Sequence, residues 1–274
     1  LFPKAGGLRQ QANLLLARWG DAPLAPNVED YEQLRQSHLP ADLHLIPIGS
    51  NITPQLPQGY DRTSWRGRLG VAQDEVLLCY FAFLNESKGA KTLVRTLADL
   101  AHRGHPVKLL MIGGLVGASD PTNLTYLEQV KALIGELGLT DLVLWTGYLP
   151  RDQVSANFAA ADICILPYRD GASYRRGSFM AALAHGLPIV STYPRVAIDS
   201  LVEGENILLV PPDDAAATTK AVEMLISTPA LQARLARGAR ELANDFAWDS
   251  IAAKTAQLYA ELLRARGVHR CRPN

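Results

Sequence analysis

Residues 162–193 read DICILPYRDGASYRRGSFMAALAHGLPIVSTY, and they decide the fold. Asp162–Tyr168 is a short, almost unbroken apolar run, as a strand buried on both faces requires. A loop of small and basic residues follows, and then Phe179–His185 reads as a helix. Gly186 ends that helix, and Pro188 follows because proline cannot continue it. Pro188–Tyr193 is a second apolar run. Strand, helix and strand make a βαβ unit, and a right-handed crossover sets its two strands parallel.

The same rhythm extends on both sides. Apolar runs recur at Val76–Leu84, Val107–Gly114, Leu142–Leu149 and Asn206–Pro212. Between them Ala90–Arg103, Leu124–Leu137 and Asp152–Ala161 carry apolar residues three and four apart. The spacing predicts an α/β fold, a Rossmann-like doubly wound parallel sheet covered on both faces. After the sheet, Asp213–Ser227, Pro229–Phe246 and Trp248–Arg266 read as helices. Asp213 or Asp214 caps the first of these, and Pro229 sits where a first-turn proline is tolerated.

Leu1–Pro57 does not complete a domain. Helices are expected at Leu8–Trp19 and Val28–Gln36, and short strands at Ala22–Pro26 and Leu43–Ile48. Two helices and two strands cannot build an independent core, so the segment reads as the end of a preceding domain. Pro47, Gly49, Pro54, Pro57 and Gly59 then punctuate a linker. The expected organisation is residues 1–57 as a partial N-terminal domain with linker, 58–246 as the Rossmann-like domain, and 247–274 as a final helix and tail. The first residue is Leu rather than Met, which reads as a piece or a trimmed form of a longer chain.

Composition narrows the function classes. Of 274 residues, 48% are hydrophobic, enough for a substantial core. Lys plus Arg number 27 and Asp plus Glu number 27, so no global charge points to nucleic acid. The three cysteines, Cys79, Cys164 and Cys271, form neither a disulfide framework nor a zinc spacing, which favours a reducing, cytoplasmic setting. No apolar stretch approaches the roughly 20 residues of a membrane span, and no signal peptide is visible. Arg234, Arg237, Arg240, Arg264, Arg266 and Arg270 make the last helices basic. A solvated face is the simpler reading, with peripheral contact to an anionic membrane as the other.

In an open parallel sheet, ligands bind at the carboxyl ends of the strands. After the first strand comes Asn85-Glu86-Ser87-Lys88-Gly89. A lysine at a helix start opposes the helix dipole unless an anion meets it, although a solvated lysine remains the alternative. After the second comes Gly113-Gly114-Leu115-Val116-Gly117, which admits either a close ligand or a tight turn. No dinucleotide fingerprint follows the first strand, so a dehydrogenase is disfavoured. The loop Gly171-Ala172-Ser173-Tyr174-Arg175-Arg176-Gly177-Ser178 joins small residues, two arginines and a helix N-terminus, which suits a phosphate or diphosphate. The competing reading pairs those arginines with Asp170 or another carboxylate. His185 reads as packed or solvated. No Asp-x-Asp pair occurs and a cap explains Asp213-Asp214, so no metal is expected. Positive side chains would then have to stabilise a leaving diphosphate.

Taken together, five stretches resemble the C-terminal domain of the family 4 (group 1) glycosyltransferases of GT-B architecture. They are Leu45–Ile52, Tyr80–Gly89, Thr146–Pro150, Ala160–Tyr168 with Ala184–Pro188, and Asn206–Pro212. The resemblance implies a retaining transferase that takes a sugar from a nucleoside-diphosphate-sugar and needs no further cofactor. The acceptor, whether glycan, lipid or small molecule, stays open. It implies that Lys88 contacts the donor diphosphate, that the loop around Tyr148 frames the base, and that Gly171–Ser178 faces diphosphate and sugar. It also implies an N-terminal domain carrying the acceptor site and catalytic groups, which the final helix would brace. Its absence would leave apolar surface exposed on Leu1–Ile48 and that helix.

Two departures stand out. The family's Gly-Arg is Ala82-Phe83 here, which removes one diphosphate cation. Its Glu-x7-Glu pair falls on Ser173 and Ala181, which removes a contact expected at the sugar and another at the ribose. Arg175 or Arg176 is the candidate for the lost charge. The departures keep two rivals in play: a non-catalytic nucleotide-sugar-binding or scaffolding module, and an epimerase or phosphorylase on the same two-domain plan.

Overall fold

The computed structural model of the chain describes residues 6–39, 42–114 and 121–267. Leu115–Gly117 and Cys271 lie outside these. The chain divides into two compact units. One comprises Leu1–Gly49, Val196–Ile198 and Asn244–Asn274, and the other Ser50–Arg195 and Asp199–Ala243.

The larger unit is the doubly wound sheet that the sequence predicts. Its strands are β3 (Val76–Phe81), β4 (Val107–Ile112), β5 (Val143–Trp145), β6 (Ile163–Leu166), β7 (Ile189–Thr192) and β8 (Leu208–Val210). They lie in the order β5-β4-β3-β6-β7-β8, and every neighbouring pair is parallel. Their continuous apolar character follows from burial on both faces: Leu77, Leu78, Cys79 and Tyr80 of β3 and all of β6 are fully buried.

Cys79 and Cys164 stand opposite each other in the β3–β6 register as free, buried thiols. Burial, followed by the neighbouring Cys164, pushes the Cys79 thiol up, so it packs as a small hydrophobe rather than reacting.

The helices of this unit are α3 (Arg62–Arg68), α4 (Ala90–His102), α5 (Pro121–Glu136), α6 (Arg151–Ala160), α7 (Gly177–Ala184), α8 (Ala215–Ser227) and α9 (Pro229–Ala243). On α4 the buried residues Leu93, Val94, Leu97 and Leu100 recur at helical spacing, and the helix packs on α8. Each such leucine contributes about 2 kcal/mol of burial.

α3 has no counterpart among the helices expected from the sequence. Asp61 caps it, accepting from the Ser64 N–H at 2.8 Å, and Arg66 roots it in the sheet. Arg66 donates to the Ala160, Ala72 and Glu75 carbonyls and to Asp162 at 3.0 Å, while Arg62 pairs with Asp162 at 2.5 Å. Asp162 also accepts from the Leu77 N–H at 2.8 Å, which fixes the starts of β3 and β6 together. The cap of α8 is Asp214, whose carboxylate accepts from the Ala217 N–H; Asp213 has other work, described below.

The smaller unit contains α1 (Gly7–Trp19), β1 (Leu24–Ala25), α2 (Val28–Arg35), β2 (His44–Leu45) and α10 (Trp248–Ala265). β1 and β2 pair in parallel. Asn27 caps α2, accepting from the Asp30 N–H and donating to the Asp30 carboxylate at 2.6 Å. No residue of α1 is buried. Leu8 and Trp19 are 87% and 75% exposed, and Tyr259 and Leu263 of α10 are exposed too. This is the apolar surface expected of that segment. Among the described residues no helix is long and apolar enough to cross a membrane.

Candidate functional site

The strand order reverses between β3 and β6, so the loops leaving those two strands diverge around a crevice at the carboxyl edge. The first loop makes a short 3-10 turn, Glu86–Lys88, and enters α4 through Gly89. Gly89 has φ +72°, and a Cβ there would lie 1.8 Å from the Pro167 carbonyl oxygen. Only glycine lets the Lys88 turn lie directly on the loop after β6.

Two further ties hold it there. The Arg169 N–H donates to the Ser87 carbonyl at 3.0 Å. The Arg169 guanidinium pairs with Glu86, and its Nε donates to the Asp213 carboxylate at 2.9 Å. Asp213, at φ +58°, thereby joins the loop after β8 to the same strap.

The loop after β6 is built around Tyr168. Its ring is fully buried, its hydroxyl shares a 2.6 Å hydrogen bond with Ser178 in the first turn of α7, and its carbonyl accepts from Thr192 at 2.6 Å. Burial raises its phenol well above the ordinary tyrosine range, so it stays protonated. Two cations gather on this ring: the Arg176 guanidinium carbon lies 4.1 Å from its centroid and Lys88 Nζ 5.1 Å.

Arg176 also donates from Nε to the Gly171 carbonyl at 3.1 Å and pairs with Asp170. The pairing with Asp170, weighed from sequence as the alternative, is therefore present. Gly171, at φ +85°, packs so tightly on the end of β7 that a Cβ would lie 2.5 Å from the Tyr193 carbonyl oxygen. Arg175 beside it is exposed. Partial burial, and then the neighbouring Arg176, hold its guanidinium below the usual arginine range.

The structure thus brings Lys88, Gly171, Ser173, Arg175, Arg176, Gly177 and Ser178 to the two loops that flank the crevice. Ser173 is buried, and its Oγ accepts weakly from the Arg175 N–H at 3.4 Å. Gly177 opens α7, an eight-residue helix whose N-cap, Arg176, makes no side-chain cap bond. Phosphate oxygens placed there would meet helix N–H groups. Gly113 and Tyr148 lie further along the same edge. Gly113 follows β4, and its N–H donates to Thr146 Oγ1 at 3.0 Å; Tyr148, on the loop after β5, is 86% exposed. Phe83 covers the neighbouring Gly114, where a Cβ would lie 2.9 Å from the ring.

His185 is packed, as expected. It stacks on Phe158 at 4.5 Å, Nδ1–H donates to the Ala181 carbonyl at 2.7 Å, and Nε2 accepts from the Ser155 hydroxyl at 2.9 Å. Burial lowers its pKa, so the ring is neutral. Ala181, where the family's second glutamate is expected, is fully buried.

Sequence reasoning missed two parts of the site: the Tyr168 platform and the Arg169 strap. An aromatic residue immediately after a buried strand at the reversal point was the available signal for the first. Nothing local marks the second, whose partners lie 83 and 44 residues away. Among the described residues no group of His, Cys, Asp and Glu is placed to hold a metal ion.

Comparison with known proteins gives the same frame. The family model described as "Glycosyl transferases group 1" matches residues 61–242. The D-inositol 3-phosphate glycosyltransferase of Streptomyces bingchenggensis is 25% identical over 256 residues, which covers 90% of this chain and 55% of that protein. The GDP-mannose-dependent alpha-(1-6)-phosphatidylinositol monomannoside mannosyltransferase of Mycolicibacterium smegmatis is 28% identical, over 82% of this chain and 58% of its own. Among solved structures, Anabaena Alr3699/HepE in complex with UDP superposes with a TM-score of 0.81 at 20% identity, covering 94% of this chain and 69% of that one. The chain therefore spans about half the length of the curated relatives it matches.

Proposed function

This chain belongs to the group 1 glycosyl transferases, and from that premise we propose that it is the donor-binding half of a retaining glycosyltransferase that uses a nucleoside-diphosphate-sugar. The observation that carries the reading is the meeting of Lys88 and the arginine loop on Tyr168, beside the N-terminus of α7, at the strand-order reversal. In this reading Lys88, Arg175, Arg176 and the N–H groups of Gly177 and Ser178 receive the diphosphate. Gly171 and Ser173 line the sugar side, and Gly113 and Tyr148 frame the base. Negative charge develops on the diphosphate as the glycosidic bond breaks. Fixed cations and helix N–H groups lower that barrier without a metal.

Acceptor and catalytic groups would come in part from a complete first domain. The exposed leucines and tryptophan of α1 are the surface such a domain would cover. Ser173 and the buried Ala181, in place of two glutamates, favour one rival: a nucleotide-sugar-binding module without transfer activity.

A transfer assay separates these readings. A protein that joins this chain to a full first domain is expected to move labelled sugar from a nucleoside-diphosphate-sugar to an acceptor. Binding without any transfer would favour the module. Interconversion of nucleotide sugars with no acceptor present would favour an epimerase.

A further inference from the structure

The ring of Phe83 occupies the carboxyl edge between the Lys88 turn and the loops after β4 and β5, and we infer that it is the stacking platform for the nucleobase. The inference rests on the donor-site reading above and adds to it the side chain that holds the base.

β3 ends at Phe81, and Ala82 and Phe83 carry the chain out of the sheet toward the Lys88 turn. Both phenylalanines meet the loop after β4. Gly113 lies on the Phe81 ring, where a Cβ would sit at 3.5 Å, and Gly114 on the Phe83 ring, where it would sit at 2.9 Å. Phe81 is itself anchored edge-on against Phe158 of α6, with ring centroids 5.3 Å apart. A side chain at residue 114 would push the Phe83 ring away, so glycine there lets the ring lie directly on backbone.

That backbone is fixed in turn. Gly113 and Gly147 form an isolated antiparallel bridge. The Thr146 hydroxyl accepts from the Gly113 N–H at 3.0 Å and donates to the Gly147 carbonyl at 2.9 Å. The Thr146 N–H donates to the Met111 carbonyl at 3.1 Å. The loops after β4 and β5 are thereby joined into one piece, with Phe83 against one end and Tyr148 leaving the other.

The Phe83 ring still stays 52% exposed, although it is held in place. A fixed, uncharged aromatic face suits a purine or pyrimidine, because every base has a π-face and stacking asks no hydrogen bond of the ring. Its place agrees with that use. Along the strand order β5-β4-β3-β6, the ring lies between Lys88, assigned to the diphosphate, and Gly113 and Tyr148, assigned to the base. A nucleotide running from the diphosphate cations to Tyr148 crosses it. Where the family carries an arginine, this chain exchanges a diphosphate cation for a base contact.

Calorimetric titration of the 274-residue chain with UDP, GDP and inorganic pyrophosphate, at several salt concentrations, tests the platform. Phe83→Leu keeps apolar bulk on Gly114 and removes the π-face. It is expected to weaken the nucleoside diphosphate that binds by about tenfold. Pyrophosphate affinity and the salt dependence should not change, since no charge is lost. Phe83→Trp is expected to keep the affinity, and its indole fluorescence to be quenched by the nucleotide but not by pyrophosphate, beyond any change in the four native tryptophans. Lys88→Ala should instead weaken both ligands. Parental affinity of Phe83→Leu for UDP and GDP would overturn the platform while leaving the donor site standing. An equal loss for pyrophosphate would overturn it too, because Phe83 would then act by shaping the Lys88 turn. No binding of UDP or GDP to the unaltered chain would sink the donor-site reading, and the platform with it.

Discussion

Replacing Arg66 with alanine is expected to cost about 3 kcal/mol of folding stability, at the low end of what removal of one partner from a buried ion pair costs. The Arg66 side chain is 6% exposed, and it joins Asp162 to the carbonyls of Ala160, Ala72 and Glu75. Its loss takes a donor from the Ala72 and Glu75 carbonyls, while the Ala160 carbonyl keeps Arg62 at 3.2 Å, and it loosens α3 from the sheet. Asp162 keeps Arg62 at 2.5 Å and the Leu77 N–H at 2.8 Å, which holds the cost below the upper range. Urea unfolding measures it. A loss under about 1 kcal/mol would mean that Arg62 and Leu77 satisfy Asp162 unaided, as in an ordinary surface pair. Because this network lies at the amino edge of the sheet, the variant that folds should bind ligands at the opposite edge as the parent does.

Gly89→Ala is expected to damage both stability and the donor site. Two penalties add: a non-glycine residue at φ +72°, worth about 1–2 kcal/mol, and a Cβ driven against the Pro167 carbonyl, worth about 1–3 kcal/mol more. The obstacle at 1.8 Å is backbone, so relief requires the Lys88 turn to lift away from the loop after β6. Diphosphate affinity should then fall at least about tenfold, or 1.4 kcal/mol. Gly138→Ala is the matched control, since Gly138 has φ +68° and nothing within 4 Å of the added carbon. Unfolding of the two variants side by side isolates the close approach. Equal losses would show that the two loops are not pressed together.

These two residues also mark where the sequence is legible and where it is not. The six strands were readable because burial on both faces leaves continuous apolar runs, a local signature. The helix end at Gly186 and the capping role of one of the two aspartates were readable for the same reason. α3 was not, because its hold on the fold comes from Arg66 and Asp162, 96 residues apart, rather than from an apolar stripe. In the site, the two loops were singled out by topology: a lysine at one helix entrance and arginines at another. That both cations meet on Tyr168, and that Asp170 occupies one of the arginines, depends on pairings among loops whose geometry no residue pattern encodes. Strand ends were overestimated for a related reason. Apolar residues continue past the last ladder hydrogen bond, as at Phe83, where they cover loop backbone instead of joining the sheet.

In the proposed function, the crevice between β3 and β6 receives a nucleoside diphosphate through Lys88 and the arginine loop. Calorimetric titration of UDP and GDP, each against its nucleoside, onto the unaltered chain and onto Lys88→Ala tests it most directly. One diphosphate is expected to bind well above its nucleoside, and Lys88→Ala to remove most of that preference without lowering the melting temperature. Diphosphate binding that survives Lys88→Ala undiminished would contradict it.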